Sequence, residues 1–302
     1  MISLLENNWK AHLLWIIILF LILSFPIFKD PSFYPDDYRY LNKAIVLLSG
    51  KGDVGEWTTI TNTWEHLWWS PDKRSISFFR FPVILTFVID ALIWGENPFG
   101  YFITSAIIHL ACSVVIYFIF RVLFENPFIG FSTGLLFAIH PVHGEALWYI
   151  SGRTDSLAAL FWLISFLLYV KKNDGKMYLP LSLTSFFLAL LSKENSFTLL
   201  LVIIAYDLFW RNNRERNTPG TTNNQIWTYA KYIVVIAIYY IIRYSILGEF
   251  FPNTSVYPYF HTPNDPGFFL HVLVVLILYS FNLVAGIHTD VFFSADKEFF
   301  LS

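Results

Sequence analysis

The sequence predicts an all-α fold, a polytopic transmembrane helical bundle of about eight spans with a long first extracytoplasmic loop bearing amphipathic helices. Three observations carry this expectation. Of the 302 residues, 56% are hydrophobic and only 14% charged. A soluble domain carries about 25% charged residues, so a chain this poor in charge must meet lipid over most of its area. Apolar runs recur at roughly 11–28, 99–120, 128–141, 155–170, 177–192, 195–210, 232–248 and 267–287. A spanning helix needs about 20 such residues, with a lower limit near 17. Finally, the basic residues sort into alternate connecting loops.

The run 11–28 is followed by Lys29 and Asp30 without a small-residue cleavage pattern, and reads as an uncleaved first span. The stretch 29–98 sets Trp57, Trp64, Trp68 and Trp69 among acids and prolines. Tryptophan favours the headgroup level, so short amphipathic helices on the outer surface are expected there. Its last part, Phe81 to Trp94, holds Asp90 and is closed by Gly95 and Asn97-Pro98. At that length it is expected to lie in the interface or to re-enter the membrane. The shorter later runs are tolerable as spans whose polar ends face a water-filled cavity.

With 81–94 not crossing, one side receives Lys10, Arg121, Lys171, Lys172, Lys176, Arg211, Arg214, Arg216 and Lys231. The opposite short loops carry only Arg153 and Lys193. The basic side, with the N-terminus, is therefore expected in the cytoplasm. The chain reads as one membrane domain over 1–302, with 29–98 as its extracytoplasmic loop. A net charge of −2 and the lack of a basic face argue against nucleic acid as a partner. The single cysteine, Cys112, lies in an apolar run and reads as a core hydrophobe.

Four polar motifs fall on the outer side of this topology. Asp36 and Asp37, within Tyr34-Pro35-Asp36-Asp37-Tyr38, could hold a divalent cation or take a proton from a hydroxyl. Proline followed by two aspartates also starts a helix well. His140-Pro141-Val142-His143-Gly144-Glu145 puts two imidazoles and a carboxylate at the end of the third span. That spacing differs from the zinc helix motif, and a polar interfacial turn serves equally. In Ser151-Gly152-Arg153-Thr154-Asp155-Ser156, Thr154 or Asp155 is placed to cap a helix, and Arg153 is of the type that grips phosphate. Ser192-Lys193-Glu194-Asn195 tips a tight hairpin between two short apolar runs, where an ionisable group at membrane depth is a functional candidate. Arg243 is a fifth, near the outer end of the seventh span, while Asp90, His109 and Asp207 read as helix-packing or interfacial groups.

Together with Asn97-Pro98-Phe99-Gly100 and Leu190-Leu191-Ser192-Lys193-Glu194-Asn195, these motifs give the chain a resemblance. It is similar to the polytopic GT-C glycosyltransferases, and in motif to the transmembrane O-mannosyltransferases that carry tetratricopeptide repeats and their bacterial relatives. The similarity covers about residues 10–210 well and the rest loosely. No tetratricopeptide pattern is present, and the chain is expected to be incomplete after its last apolar run.

The resemblance implies inverting transfer of a sugar from a polyprenyl-phosphate carrier to a hydroxyl of a protein, lipid or glycan. It implies Asp36 or Asp37 as catalytic base, with a divalent cation as a candidate cofactor at that pair. It implies Lys193, Arg153 and Arg243 as ligands of the carrier phosphate. His140, His143, Glu145, Asp155 and Glu194 would line the same cavity. It places the protein in the plasma membrane of a bacterium or the endoplasmic reticulum of a eukaryote. Two other classes stay open: a transporter of lipid-linked substrates, and a truncated, non-catalytic membrane protein.

Overall fold

The computed structural model of the chain describes residues 8–25, 29, 31–49, 80–211 and 221–247. Every regular element among them is helical. In chain order these are α1 (Trp9–Ser24), α2 (Pro35–Ser49), α3 (Phe81–Trp94), α4 (Pro98–Phe124), α5 (Pro127–Ile139), the short α6 (Gly144–Trp148), α7 (Arg153–Val170), α8 (Tyr178–Ser192), α9 (Thr198–Ala205) and α10 (Thr221–Leu247). Single tight turns cover Pro141–His143, Ile150–Gly152 and Glu194–Phe197, and a widened π turn, Tyr206–Arg211, continues α9.

Among the described residues, three helices are long and apolar enough to cross a membrane: Pro98–Phe124, Ile150–Val170 and Gln225–Leu247. Trp9–Ser24, Phe81–Trp94, Pro127–Ile139 and Tyr178–Ser192 are apolar but shorter. The architecture is that of an all-α membrane protein, as the sequence predicts. The expected span at 267–287 and the tryptophan-rich part of the outer loop lie outside the described residues.

Two Asn-Pro pairs begin neighbouring helices by one mechanism. Asn97 Oδ1 accepts from the Phe99 N–H at 3.1 Å, and Asn126 Oδ1 accepts from the Phe128 N–H at 2.8 Å. Proline follows each as the first helical residue, where no N–H is needed. Glycine then lets α5 press on α4. A Cβ on Gly130 would stand 2.7 Å from the Tyr117 carbonyl oxygen, and one on Gly134 3.0 Å from that of Ser113. Small residues four apart are a common means of close helix approach in lipid.

Helix α5 has 13 residues, a length of about 20 Å against a hydrocarbon core of about 30 Å. His143, four residues past its end, meets His109 on α4 at a ring separation of 5.3 Å.

Hydroxyls join the hairpin of α7 and α8. Ser165 Oγ donates to the Ser182 carbonyl at 2.7 Å, Ser182 Oγ returns the bond to the Ser165 carbonyl at 2.6 Å, and Tyr232 of α10 meets Ser182 Oγ at 2.6 Å. Phe186, Leu190, Tyr169 and Tyr239 surround this seam. A second apolar cluster, with Leu41, Val83, Phe87, Tyr101 and Ile150, binds α2 and α3 to α4. Asp37, Leu41 and Ala44 are the buried side of α2, spaced as one face of an amphipathic helix.

At the basic end lies a polar knot. Asp207, in the π turn, accepts from Tyr169 Oη at 2.5 Å and Tyr229 Oη at 2.8 Å, and pairs with Arg211 at 3.2 Å. Lys172 stands 3.9 Å from the same carboxylate and over the Tyr169 ring. The group ties the end of α7, the π turn and the start of α10 together.

Candidate active site

The motif residues occupy the other end of the bundle, and the helix termini there explain how each is held. Helix α2 opens at Pro35. Asp37, in its first turn, reaches back so that its Oδ2 accepts from the Tyr34 N–H at 2.9 Å. Its Oδ1 accepts from the Ser151 N–H at 2.6 Å, across 114 residues of sequence. Asp37 is fully buried. Both oxygens of this carboxylate are thus engaged by backbone, fastening α2 to the turn Ile150–Gly152. Asp36 precedes it on the same helical turn, and its side chain lies outside the described residues.

Arg153 begins α7 directly after that turn. A cation at a helix N-terminus opposes the helix dipole, and here a carboxylate from another helix offsets it. Arg153 Nη1 stands 2.6 Å from Asp90 Oδ2 of α3, with side chains 0% and 2% exposed. Nη2 donates to the Tyr101 carbonyl at 2.7 Å, while Nε and Nη1 donate to the hydroxyls of Ser105 and Thr86, each at 3.3 Å. The guanidinium also covers the Phe87 ring at 4.6 Å. Thr104 donates to the free side of Asp90 at 2.6 Å. Arg153 thus joins α3, α4 and α7.

Asp155, two residues on, behaves differently. It pairs directly with Lys193 Nζ, and the two side chains are 58% and 28% exposed. Lys193 ends α8 in an extended conformation, its N–H still donating to the Ala189 carbonyl at 2.9 Å. Ser196 Oγ caps that same carbonyl at 3.0 Å, which holds the hairpin tip tight. Glu194 Oε2 is buried with no hydrogen-bond partner among the described residues. Glu194 acts electrostatically on Tyr239 of α10, which is hydrogen-bonded to Arg243. Tyr239 and Arg243 are both buried.

The histidines form a second group. His140 Nδ1 accepts from the Val142 N–H at 3.2 Å, which starts the turn Pro141–His143. His143 stacks obliquely on Phe137 at 4.2 Å and lies 6.1 Å from His140. Burial, then the neighbouring His109 and His140, push the His143 imidazole down to about 4. The side chain of Glu145 lies outside the described residues. Among the described residues no group of three or more His, Cys, Asp or Glu is arranged to hold a metal ion. At the expected cation pair, each oxygen of Asp37 accepts one backbone N–H.

Bonds and charges at this end thus join Asp37 to Ser151 and Asp155 to Lys193, and set Glu194 against Tyr239 beside Arg243. Sequence reasoning alone missed Asp90 as the partner of Arg153, His109 as the third imidazole, and Tyr239. One signal was available: an acid inside an apolar run needs a partner, and Arg153 is a cation on the same side.

No solved structure matches the chain. Among curated proteins, it is 36% identical to protein O-mannosyl-transferase TMTC1 of Homo sapiens over 158 residues, covering 48% of this chain and 18% of that protein. It is 30% identical to TMTC3 of Homo sapiens over 149 residues, 47% of this chain and 16% of that protein. With TMTC4 of Homo sapiens the identity is 30% over 213 residues, 62% of this chain and 28% of that protein. The chain spans less than a third of the length of these relatives. The family profile described as dolichyl-phosphate-mannose-protein mannosyltransferase matches residues 82–244. That interval is more than half of the chain and contains every motif named above except the one at Tyr34 to Tyr38. The chain belongs to the dolichyl-phosphate-mannose-protein mannosyltransferase family.

Proposed function

We propose that this chain is the membrane domain of an inverting glycosyltransferase, which moves mannose from a polyprenyl-phosphate carrier to an acceptor hydroxyl. The reaction takes place on the extracytoplasmic side, with the N-terminus and the basic loops in the cytoplasm. The observation that carries this reading is the 2.6 Å bond from the Ser151 N–H to Asp37. It fastens the aspartate pair to the segment that supplies Asp155, and Asp155 in turn meets Lys193. A carboxylate pair and a phosphate-binding cation thereby share one end of the bundle.

The division of labour follows from what each group is free to do. Both oxygens of Asp37 accept backbone N–H bonds, which leaves Asp36 as the base and Asp37 as its anchor. The acceptor oxygen attacks the anomeric carbon and its proton passes to Asp36. The bond from that carbon to the phosphate oxygen breaks, its electron pair leaves with polyprenyl phosphate, and configuration inverts. The leaving phosphate needs charge neutralisation rather than a proton. Lys193 supplies it as a compact point charge, and Arg243 adds a second positive charge to the same end. Arg153 has no part in this step because Asp90 holds it. Sugar hydroxyls are hydrogen-bond donors and fit the buried Glu194 Oε2.

The test is transfer of labelled mannose from a polyprenyl-phosphate donor by membranes carrying Asp36→Asn. Loss of transfer with normal insertion is expected. Undiminished transfer removes Asp36 from the mechanism.

A further inference from the structure

The counter-ion of Lys193 has a consequence for how the carrier enters and leaves. We propose that Asp155 is an exchangeable counter-ion: the carrier phosphate displaces its carboxylate from Lys193 Nζ on binding, and Asp155 recaptures the lysine when polyprenyl phosphate departs. This rests on the reading of Lys193 as a phosphate ligand, and makes Asp155 a positioning residue that sets carrier affinity and release.

Three features support the exchange. Asp155 lies in the first turn of α7 and Lys193 just past the end of α8, 38 residues apart, and they meet through their charged atoms. Both side chains are open enough for an incoming anion to compete, at 58% and 28% exposure. By contrast Arg153, two residues earlier, keeps a partner from which no outside anion can separate it, since that pair is 0% and 2% exposed. Within one motif, then, only the Asp155 pair is built to open.

The charges of donor and product say why such a device is useful. A polyprenyl-phosphate sugar is a phosphodiester with a single negative charge. The released polyprenyl phosphate is a monoester carrying about −1.5 to −2 near neutral pH, because its second ionisation lies near 6. A site offering bare cations would hold product more tightly than donor. A tethered carboxylate that returns to Lys193 competes with the product and shortens its stay.

The experiment titrates the full chain, in lipid nanodiscs at fixed ionic strength, with farnesyl phosphate as a short polyprenyl phosphate. Asp155→Asn is expected to bind it about two- to five-fold tighter than wild type, the range set by one exposed ion pair. Lys193→Ala is expected to lose most of the binding. The double variant should bind no better than Lys193→Ala, because Asp155 acts only through Lys193. Asp155→Ser provides a second removal of the charge should the asparagine accumulate poorly. In a transfer assay, Asp155→Asn should lower both the KM for the donor and kcat. If Lys193→Ala loses binding while Asp155→Asn binds as wild type or more weakly, the exchange is overturned and the phosphate reading stands. If Lys193→Ala binds as wild type, or wild type does not bind, the phosphate reading falls and the exchange with it.

Discussion

Arg153 and Asp155 stand two residues apart at the start of one helix, and each is paired with an ion from another helix, yet the pairs serve opposite ends. The first is sealed among α3, α4 and α7, with every guanidinium nitrogen engaged. The second lies open at the hairpin tip. Burial decides the difference. Separating a buried pair leaves a charge in low dielectric and costs about 3–5 kcal/mol, whereas an exposed pair contributes about 0–1 kcal/mol. A sealed pair can hold a framework, and an open pair can trade partners with a substrate. One motif thus supplies both a sealed pair and an open one.

The largest effect is expected from breaking the sealed pair. Arg153→Ala should destabilise the detergent-solubilised protein by about 3–5 kcal/mol, read as a large drop in Tm. The double change Arg153→Met with Asp90→Leu should recover much of it, because neither charge is then left alone. A single variant as stable as wild type would remove the sealed pair from the account of the fold. Next in size is the α4–α5 contact. Gly130→Val forces a side chain against the Tyr117 carbonyl and should cost about 1–3 kcal/mol, again by thermal unfolding. Gly95 is the contrasting case: a Cβ there meets nothing within 4 Å, so the cost of a substitution comes from its φ of +59° alone.

The histidine group gives a pH signature independent of the ion pairs. His143 titrates near 6.5 when unfolded and near 4 in the fold. Between those values the unfolded chain binds a proton that the fold refuses. Stability should therefore be level above about pH 6.5 and fall as the pH drops toward 4. His143→Gln should flatten that part of the profile, and an unaltered slope would assign the acid sensitivity to other groups. The smallest stability effect belongs to the open pair. Asp155→Asn and Lys193→Ala should each shift stability by no more than about 1 kcal/mol.

Much of this arrangement was legible in the sequence, for reasons that can be named. Helix α4 announces itself by an Asn-Pro start and a long apolar run, and the structure gives Pro98–Phe124. The hairpin at Lys193 was legible because apolar runs flank a short polar tip, and the helix ends at Ser192. Phe81 to Trp94, set off in the sequence by Gly95 and Asn97-Pro98, forms a helix of 14 residues. What sequence could not give were pairings made across distance. Arg153 was grouped with Lys193 because both are outer cations. Its partner Asp90 lies 63 positions earlier in an apolar run, and only packing brings them together. Asp36 and Asp37 are equivalent on paper. What the structure adds is the bond to Asp37 from Ser151, 114 residues away. Asp207 looked like an isolated polar group because Tyr169, Lys172, Tyr229 and Arg211 reach it from three segments.

The comparison of the two pairs leads to one decisive measurement, the rate at which Lys193→Ala membranes transfer mannose from a polyprenyl-phosphate donor, at matched levels of inserted protein. A working charge whose pair adds little to stability should be nearly silent in thermal unfolding and severe in catalysis. The rate is expected to fall by about 10²-fold or more, the usual effect of removing one group that stabilises developing charge, with Tm within a few degrees of wild type. Transfer at the wild-type rate would contradict the assignment of Lys193 to the carrier phosphate, and with it the view that the open pair serves the reaction.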